Sequence, residues 1–295
     1  MVRVRWFLPL LLVASLVVAA CGGSDPASSP SAKTPAELVD AAQKAVANQS
    51  SVGFDIKLGA TLNGKLQGAG ATAALLNGPL TLEIKGHSTT KAPEKFDATF
   101  NLGFSGGSFT GEVLTPDGKT AYIQLPSLLG SGWHRVDLQS ASSGPSSGGS
   151  SSSLLSGLDA NKFLKDTKVT SSGSTDTIAA TLDIPALVSE VTQVARSAGS
   201  TGGAIGSSTQ KAVKNAQGSM SFDKSSHLPT AFDATLKVIV PKGQSSSAAG
   251  LKGVDLTIHA TFDDWSKDFT VQTPSGATPL PKNLFGGTGS TLSTF

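Results

Sequence analysis

The sequence predicts an α+β fold in which one large, curved antiparallel sheet, a half-barrel of about ten strands, carries two or three helices on its concave face. Two observations predict this fold. Apolar and polar residues alternate over many short segments, as they do in a strand with one buried face. Turn sequences separate several of these segments at hairpin spacing, and parallel strands would instead show continuous apolar runs because both of their faces are buried.

Alternation marks the strands along the whole length of the chain. The clear segments are residues 52–58, 80–84, 96–104, 109–113, 121–125, 178–184, 220–222, 232–240 and 254–262, and weaker ones are 167–170 and 269–272. Ser105-Gly106-Gly107 and Pro116-Asp117-Gly118 are tight-turn sequences between neighbouring strands.

Helical signals are fewer. Thr34-Pro35-Ala36-Glu37 supplies an N-cap Thr, a Pro at the first helical position and a Glu at the third, which together predict a helix that ends near Asn48. A second helix is predicted to begin at Pro185, and a short third one over residues 156–166.

The first 20 residues have the pattern of a secretory signal. Arg3 and Arg5 precede an uncharged apolar stretch over residues 6–20. This stretch is shorter than the roughly 20 apolar residues that cross a bilayer, and small residues precede the expected cleavage point. Residues 1–20 are therefore predicted to be a signal peptide.

Val18-Ala19-Ala20-Cys21 resembles the bacterial lipobox, in which the cysteine is lipidated after cleavage. Cys21 is the only cysteine, so no disulfide or cysteine-based metal site is available. Residues 21–34 are predicted to form a lipidated flexible tether, which places the protein on the extracytoplasmic face of the cell membrane. The alternative is an ordinary cleaved signal in which Cys21 is incidental.

Residues 35–295 are predicted to form a single domain. Serine- and glycine-rich runs at 140–153 and 199–208 are interpreted as flexible insertions within it. Without Arg3 and Arg5 the chain has 21 basic and 21 acidic residues, so it has no net basic charge with which to bind nucleic acid.

Sequence motifs for catalysis lack their required context. Residues 103–107 match G-x-S-x-G, but both flanks are predicted strands, whereas a nucleophile elbow needs a strand followed by a helix. Ser208 to Lys211 and Ser221 to Lys224 match S-x-x-K without its companion motifs. The four histidines have no metal-binding spacing. The sequence therefore predicts no enzyme activity, no metal site and no cofactor.

The order of elements resembles that of the mycobacterial LppX/LprG lipoproteins, relatives by fold of the LolA and LolB lipoprotein carriers. The shared layout is a lipobox, a tether, an amphipathic helix, alternating strands and two short motifs. These motifs are Leu158-Asp159-Ala160-Asn161-Lys162-Phe163-Leu164 and Asp183-Ile184-Pro185. The chain departs from this layout in its serine- and glycine-rich insertions and in its small number of large residues. The resemblance implies a half-barrel sheet whose apolar cavity binds acyl chains, and a role in moving lipids or glycolipids across the cell envelope.

The concave face is predicted to bind such a lipid. The candidate lining residues are Phe54, Ile56, Leu82, Phe100, Leu102, Leu236, Val238, Leu256 and Ile258. We therefore expect a membrane-anchored lipoprotein that binds or carries an acyl lipid or glycolipid. The alternative is a sensor or scaffold with a filled core, whose partners would be other envelope proteins.

Overall fold

The computed structural model describes residues 34–64, 78–91, 94–138, 164–186, 189, 213–239 and 251–281. Twelve strands form one open sheet in the order β12-β6-β5-β4-β3-β2-β1-β11-β10-β9-β8-β7, and the sheet is curved. The strands are β1 Ser51–Gly64, β2 Leu80–Thr89, β3 Phe96–Phe104, β4 Gly107–Thr115, β5 Thr120–Leu125, β6 Gly130–Asp137, β7 Leu164–Ser172, β8 Thr175–Leu182, β9 Val213–Asp223, β10 Pro229–Ile239, β11 Leu251–Asp263 and β12 Thr278–Pro279. The predicted fold class is confirmed.

The sheet consists of two runs of consecutive antiparallel strands, β1 to β6 and β7 to β11, joined where β1 pairs with β11. Among the described strands, only β12 is parallel to its neighbour, β6. The signal peptide, Cys21, the tether before Thr34 and both serine- and glycine-rich insertions lie outside the described residues.

Register assigns every strand residue to one of two faces, because directly paired residues in an antiparallel sheet point to the same side. One continuous row runs through Ile56, Ile84 and Phe100, and its other half runs through Ala260, Phe232, Met220 and Ile178. We call this side the apolar face. The opposite side, which includes Lys57, Glu83 and His259, is the polar face.

Helix α1, Pro35–Ala47, has the predicted capping box. Thr34 Oγ1 accepts from the Glu37 backbone N–H at 3.3 Å, and the Thr34 backbone N–H donates to Glu37 Oε2 at 2.7 Å. The helix ends at the C-cap Asn48, as the sequence predicts. Its buried residues Leu38, Val39 and Ala42 face the sheet.

The hydrophobic core lies between α1 and the apolar face. Its buried sheet residues are Ile178, Met220, Phe222, Phe232, Ala234, Ile258 and Ala260. They come from β8, β9, β10 and β11, so α1 covers chiefly the second run of strands.

Two weaker sequence predictions are wrong in detail. The sequence predicts a helix over residues 156–166, but Leu164 is already the first residue of β7 and pairs with Leu182 of β8. The backbone of residues 164–166 is therefore in a strand, and residues 156–163 lie outside the described residues. Residues 269–272 form no strand, although the Phe269 ring stacks on His87 at a centroid distance of 5.4 Å.

Two further helical segments occur among the described residues. Helix α2, Pro126–Leu129, connects β5 and β6. The helix predicted to begin at Pro185 has helical residues at 184–186 and 189, and Asp183 Oδ1 accepts from the Ala186 backbone N–H at 3.1 Å; residues 187–188 and 190–212 lie outside the described residues. In the described part of the chain, no helix has the length and apolar character needed to cross a bilayer.

Candidate functional site

All nine predicted lining residues are on the apolar face. The β1, β2 and β3 residues follow from the pairs Ile56–Ile84, Ile84–Phe100, Leu58–Leu82 and Leu82–Leu102. The β10 and β11 residues follow from the pairs Leu58–Ile258, Ala60–Leu256, Leu236–Leu256 and Val238–Val254. Strand alternation therefore assigned the residues to one surface, although they come from five strands.

Four of the nine belong to packed regions. Ile258 is 3% exposed and is a core residue beneath α1, and Ile56 and Leu236 pack against that core. The Phe54 ring stacks on Phe96 at a centroid distance of 5.8 Å.

The other five remain partly exposed and lie outside the core cluster. We call them the open strip: Leu82, Phe100, Leu102, Val238 and Leu256. Ile84, Phe109 and Val254 share this face and are also partly exposed. The same alternation of apolar and polar residues marks these three positions in the sequence.

His134 is a polar residue on the apolar face that the sequence analysis did not assign there. It pairs with Ile123 in β5, and its Nδ1 lies 3.2 Å from Thr278 Oγ1. Its Nε2 is buried and has no hydrogen-bond partner among the described residues. A buried nitrogen without a hydrogen-bond partner costs free energy. A polar group that reaches the apolar face could therefore gain a hydrogen bond from this atom.

Two hollows in the described part of the chain lie on the polar face, opposite the open strip. The larger has a volume of about 1030 Å³ and the smaller about 390 Å³, and Glu83 and Asn101 line both. We call the larger one the polar groove. Strong twist makes a sheet saddle-shaped, so that either face can be hollow along one direction.

Four charged side chains within the polar groove form two pairs across neighbouring strands. Lys57 Nζ lies 3.2 Å from Glu83 Oε1, and His259 Nδ1 lies 2.6 Å from Asp233 Oδ1. The hydrogen bond to Glu83 and the nearby charge of Asp55 raise the pKa of Lys57 above its ordinary value. His259 is on the solvated face, as its position between Ile258 and Ala260 predicts.

The two serine motifs that the structure describes do not assemble a nucleophile. Ser105 lies in the hairpin turn between β3 and β4, with a strand on each side. Ser221 Oγ is 3.0 Å from Thr177 Oγ1, whereas Lys224 Nζ donates to the Gly173 carbonyl oxygen at 2.6 Å. The motif from Ser208 to Lys211 lies outside the described residues.

Metal-binding geometry is also missing from this part of the protein. Among the described residues, no three His, Cys, Asp or Glu side chains are grouped as metal ligands would be.

The two tryptophans in the described residues have different surroundings. Trp265 Nε1 donates to the Pro229 carbonyl oxygen at 3.1 Å, and its ring centroid lies 6.5 Å from that of Phe262, so this tryptophan has a packing role. Trp133 is in β6 opposite Gln124, on the polar face, and is partly buried. It therefore lies on the opposite side of the sheet from the open strip.

Comparison with known proteins gives weak structural similarity. No family model and no curated protein matches the chain. An outer membrane lipoprotein-sorting protein domain from Vibrio parahaemolyticus is similar at 10% identity over 78% of this chain and 92% of that one, with a TM-score of 0.23. Rv2717c from M. tuberculosis is similar at 11% identity over 74% and 96% of the two chains, with a TM-score of 0.21. At these TM-scores, the function has to be argued from the geometry of the chain itself.

Proposed function

We propose that this protein is a non-enzymatic, membrane-anchored extracytoplasmic lipoprotein that binds or carries an acyl lipid or glycolipid on its apolar face. The observation on which the proposal rests is the open strip. The apolar face continues beyond the core that α1 covers, and five of its large apolar side chains remain partly exposed.

An acyl chain suits this surface because burial of methylene groups alone provides affinity. Each CH₂ removed from water contributes about 0.8 kcal/mol, so several methylenes laid along the open strip would hold a chain without any charged contact. The unpaired Nε2 of His134 would offer a hydrogen bond to a polar head group at the β6 end of the same face.

Anchoring would occur through Cys21. Residues 22–33 would then tether α1, which begins at Pro35, to the membrane. A single acyl chain binds a membrane only weakly, and the two-chain modification that the lipobox implies would hold the protein stably.

Native mass spectrometry of the protein beginning at residue 22 tests lipid binding, since this chain retains every described residue. We expect a co-purified acyl lipid in near-stoichiometric amount, released by denaturation and identified after organic extraction. Val238→Trp fills part of the open strip and should reduce lipid uptake severalfold while changing the urea midpoint of unfolding little.

Ile239→Trp is the matched control, because Ile239 is the next residue of β10, points to the polar face and is 38% exposed. This variant should take up lipid normally. A clean apo mass after incubation with envelope lipids would contradict the proposal and favour the protein-binding alternative. Equal loss of uptake in both variants would also contradict it.

A further inference from the structure

The polar groove runs across the strands rather than along them. Its lining extends from Asn101 in β3 to Lys168 in β7, through every strand between them in the sheet. With neighbouring strands about 4.8 Å apart, these eight strands give it a length of roughly 34 Å along the surface. The smaller hollow continues it toward Gln124 in β5. The volume of the polar groove, about 1030 Å³, is at the upper end of the range of about 300–1,000 Å³ for small-molecule pockets. A groove of this volume and length suits an extended chain.

The charges in the polar groove are nearly balanced and largely satisfied internally. Lys57 with Glu83 and His259 with Asp233 form two cross-strand pairs, and Lys168 and Asp166 add one charge of each sign. A strongly charged polymer would find no field of a single sign here, because the groove carries side chains of both signs along its length. The ligand that fits is uncharged.

Hydroxyl and amide groups fill the space between the charge pairs. Seven of these side chains have no hydrogen-bond partner among the described residues: Thr81, Asn101, Thr181, Gln217, Ser219, Thr235 and Thr257. Together they offer donors and acceptors along the length of the groove. Gly59 lies between Thr81 and Thr257, and because it has no side chain, the groove is deeper at this position.

The polar groove offers almost no apolar anchor. Leu58, Leu82 and Ile258 line it, but register turns their side chains to the other face. Peptide partners commonly bind through buried aromatic or arginine anchors in pockets, which this floor does not provide. A flat aromatic ring is present beyond the end of the smaller hollow, where Trp133 lies opposite Gln124.

We propose that the polar groove is a second binding site, independent of the apolar face, and that it binds an uncharged linear glycan. Glycan hydroxyls would donate to the carboxylates and exchange hydrogen bonds with the threonine, asparagine and glutamine side chains. The sheet separates the two sites, so a lipid on the open strip and a glycan in the polar groove could be bound together.

The test uses isothermal titration calorimetry on the protein beginning at residue 22. The probes are uncharged linear hexasaccharides of glucose, mannose and N-acetylglucosamine, with the corresponding disaccharides for comparison. We expect at least one hexasaccharide to bind more tightly than its disaccharide, with an affinity that changes little between low and high salt.

Thr235→Trp would fill the middle of the polar groove and lower the affinity by about tenfold or more. Asn101→Trp, near its β3 end, gives a second variant if the first one unfolds. Thr61→Trp is the matched control: Thr61 is exposed on the same face, pairs with Asp255 and does not line the groove. This control should bind as the wild type does, and urea unfolding establishes that each variant is folded.

Three results would overturn the proposal. The first is the absence of binding to any hexasaccharide. The second is equal loss of binding in Thr61→Trp and in the groove variants. The third is preferential binding of an anionic polymer or an unstructured peptide. None of these results depends on lipid binding, so this proposal and the proposed function can fail separately.

Discussion

Asp223 stabilises the turn between β9 and β10 by accepting several hydrogen bonds at one carboxylate oxygen. Its Oδ1 accepts from the Ser225 and Ser226 backbone N–H groups at 3.0 and 2.8 Å, and from the two serine hydroxyls at 2.6 and 2.9 Å. These bonds favour the ionised form and lower the pKa of Asp223 to about 2. A single carboxylate at the end of β9 therefore organises a turn between two core strands.

Asp223→Asn should make the protein less stable at neutral pH and should flatten part of its acid unfolding curve. The carboxylate has a lower pKa in the folded than in the unfolded state, so it stabilises the fold above pH 4 and loses that effect between about pH 4 and 2. Thermal unfolding across this pH range is the measurement. Asp268→Asn, at an exposed carboxylate, is the control and should follow the wild type. A constant difference between Asp223→Asn and wild type down to pH 2 would contradict the assignment.

At the scale of the elements, β2 and β3 approach closely at Gly86. A Cβ placed there would lie 1.9 Å from the Asp97 carbonyl oxygen and 2.7 Å from the Ala98 Cα. Both are backbone atoms in a paired strand, so they cannot move aside without disturbing the ladder. By contrast, a Cβ at Gly132 in β6 would meet nothing within 4 Å.

Gly86→Ala should lower the free energy of unfolding by about 1–3 kcal/mol, the usual cost of forcing an extra methyl into a packed site. Gly132→Ala should be neutral or slightly stabilising, because it only restricts the unfolded chain. Urea unfolding of both variants measures this contrast. Equal effects of the two substitutions would show that the strands separate easily at Gly86.

The strands that could be predicted are those with regular alternation, such as β3 with Phe96, Ala98 and Phe100 on one face. Strand β6 was not predicted, because Trp133, His134 and Val136 follow a Gly-Ser-Gly start and do not alternate. Strand β12 is two residues long and is paired only through β6, so no local pattern indicates it. Alternation also placed nine side chains on one face but could not show which of them α1 would cover.

At the scale of the whole molecule, the two runs of strands depend on one seam. Along it, β1 pairs with β11 from Gly53–Asp263 to Gly64–Leu251, and helix α1 packs on the apolar side. The polar groove crosses the same seam, and no sequence pattern could predict it. Its charge pairs join consecutive strands, β1 with β2 and β10 with β11, and only the pairing of β1 with β11 places the two pairs side by side.

Leu38→Ala should lower the free energy of unfolding by about 2–5 kcal/mol, because Leu38 is 1% exposed in the core beside the seam. We expect both runs of strands to unfold together. In the protein beginning at residue 22, the tryptophans are Trp133 in β6 and Trp265 after β11. Each of the variants Trp133→Phe and Trp265→Phe keeps a single tryptophan, whose fluorescence follows unfolding in urea. The two variants should have the same urea midpoint, and Leu38→Ala should lower that midpoint by the same amount in both.

Lys44→Ala, at an exposed position of α1, is the control for Leu38→Ala and should change the midpoint little. Different midpoints at the two tryptophans would show that the seam does not couple the two runs of strands.

The seam also sets the order in which the chain can fold. The Ser50 backbone N–H donates to Ser266 Oγ, which is 216 residues further along the chain. The centre of the sheet can therefore form only after almost the whole chain has been synthesised. Strands β2 to β6 can pair locally before then, while one edge of β1 stays unpaired until β11 has been synthesised. Contacts of such sequence separation make folding slow, and a waiting strand edge can pair with another chain. Completion of β11 is thus the step that removes this risk of misassembly.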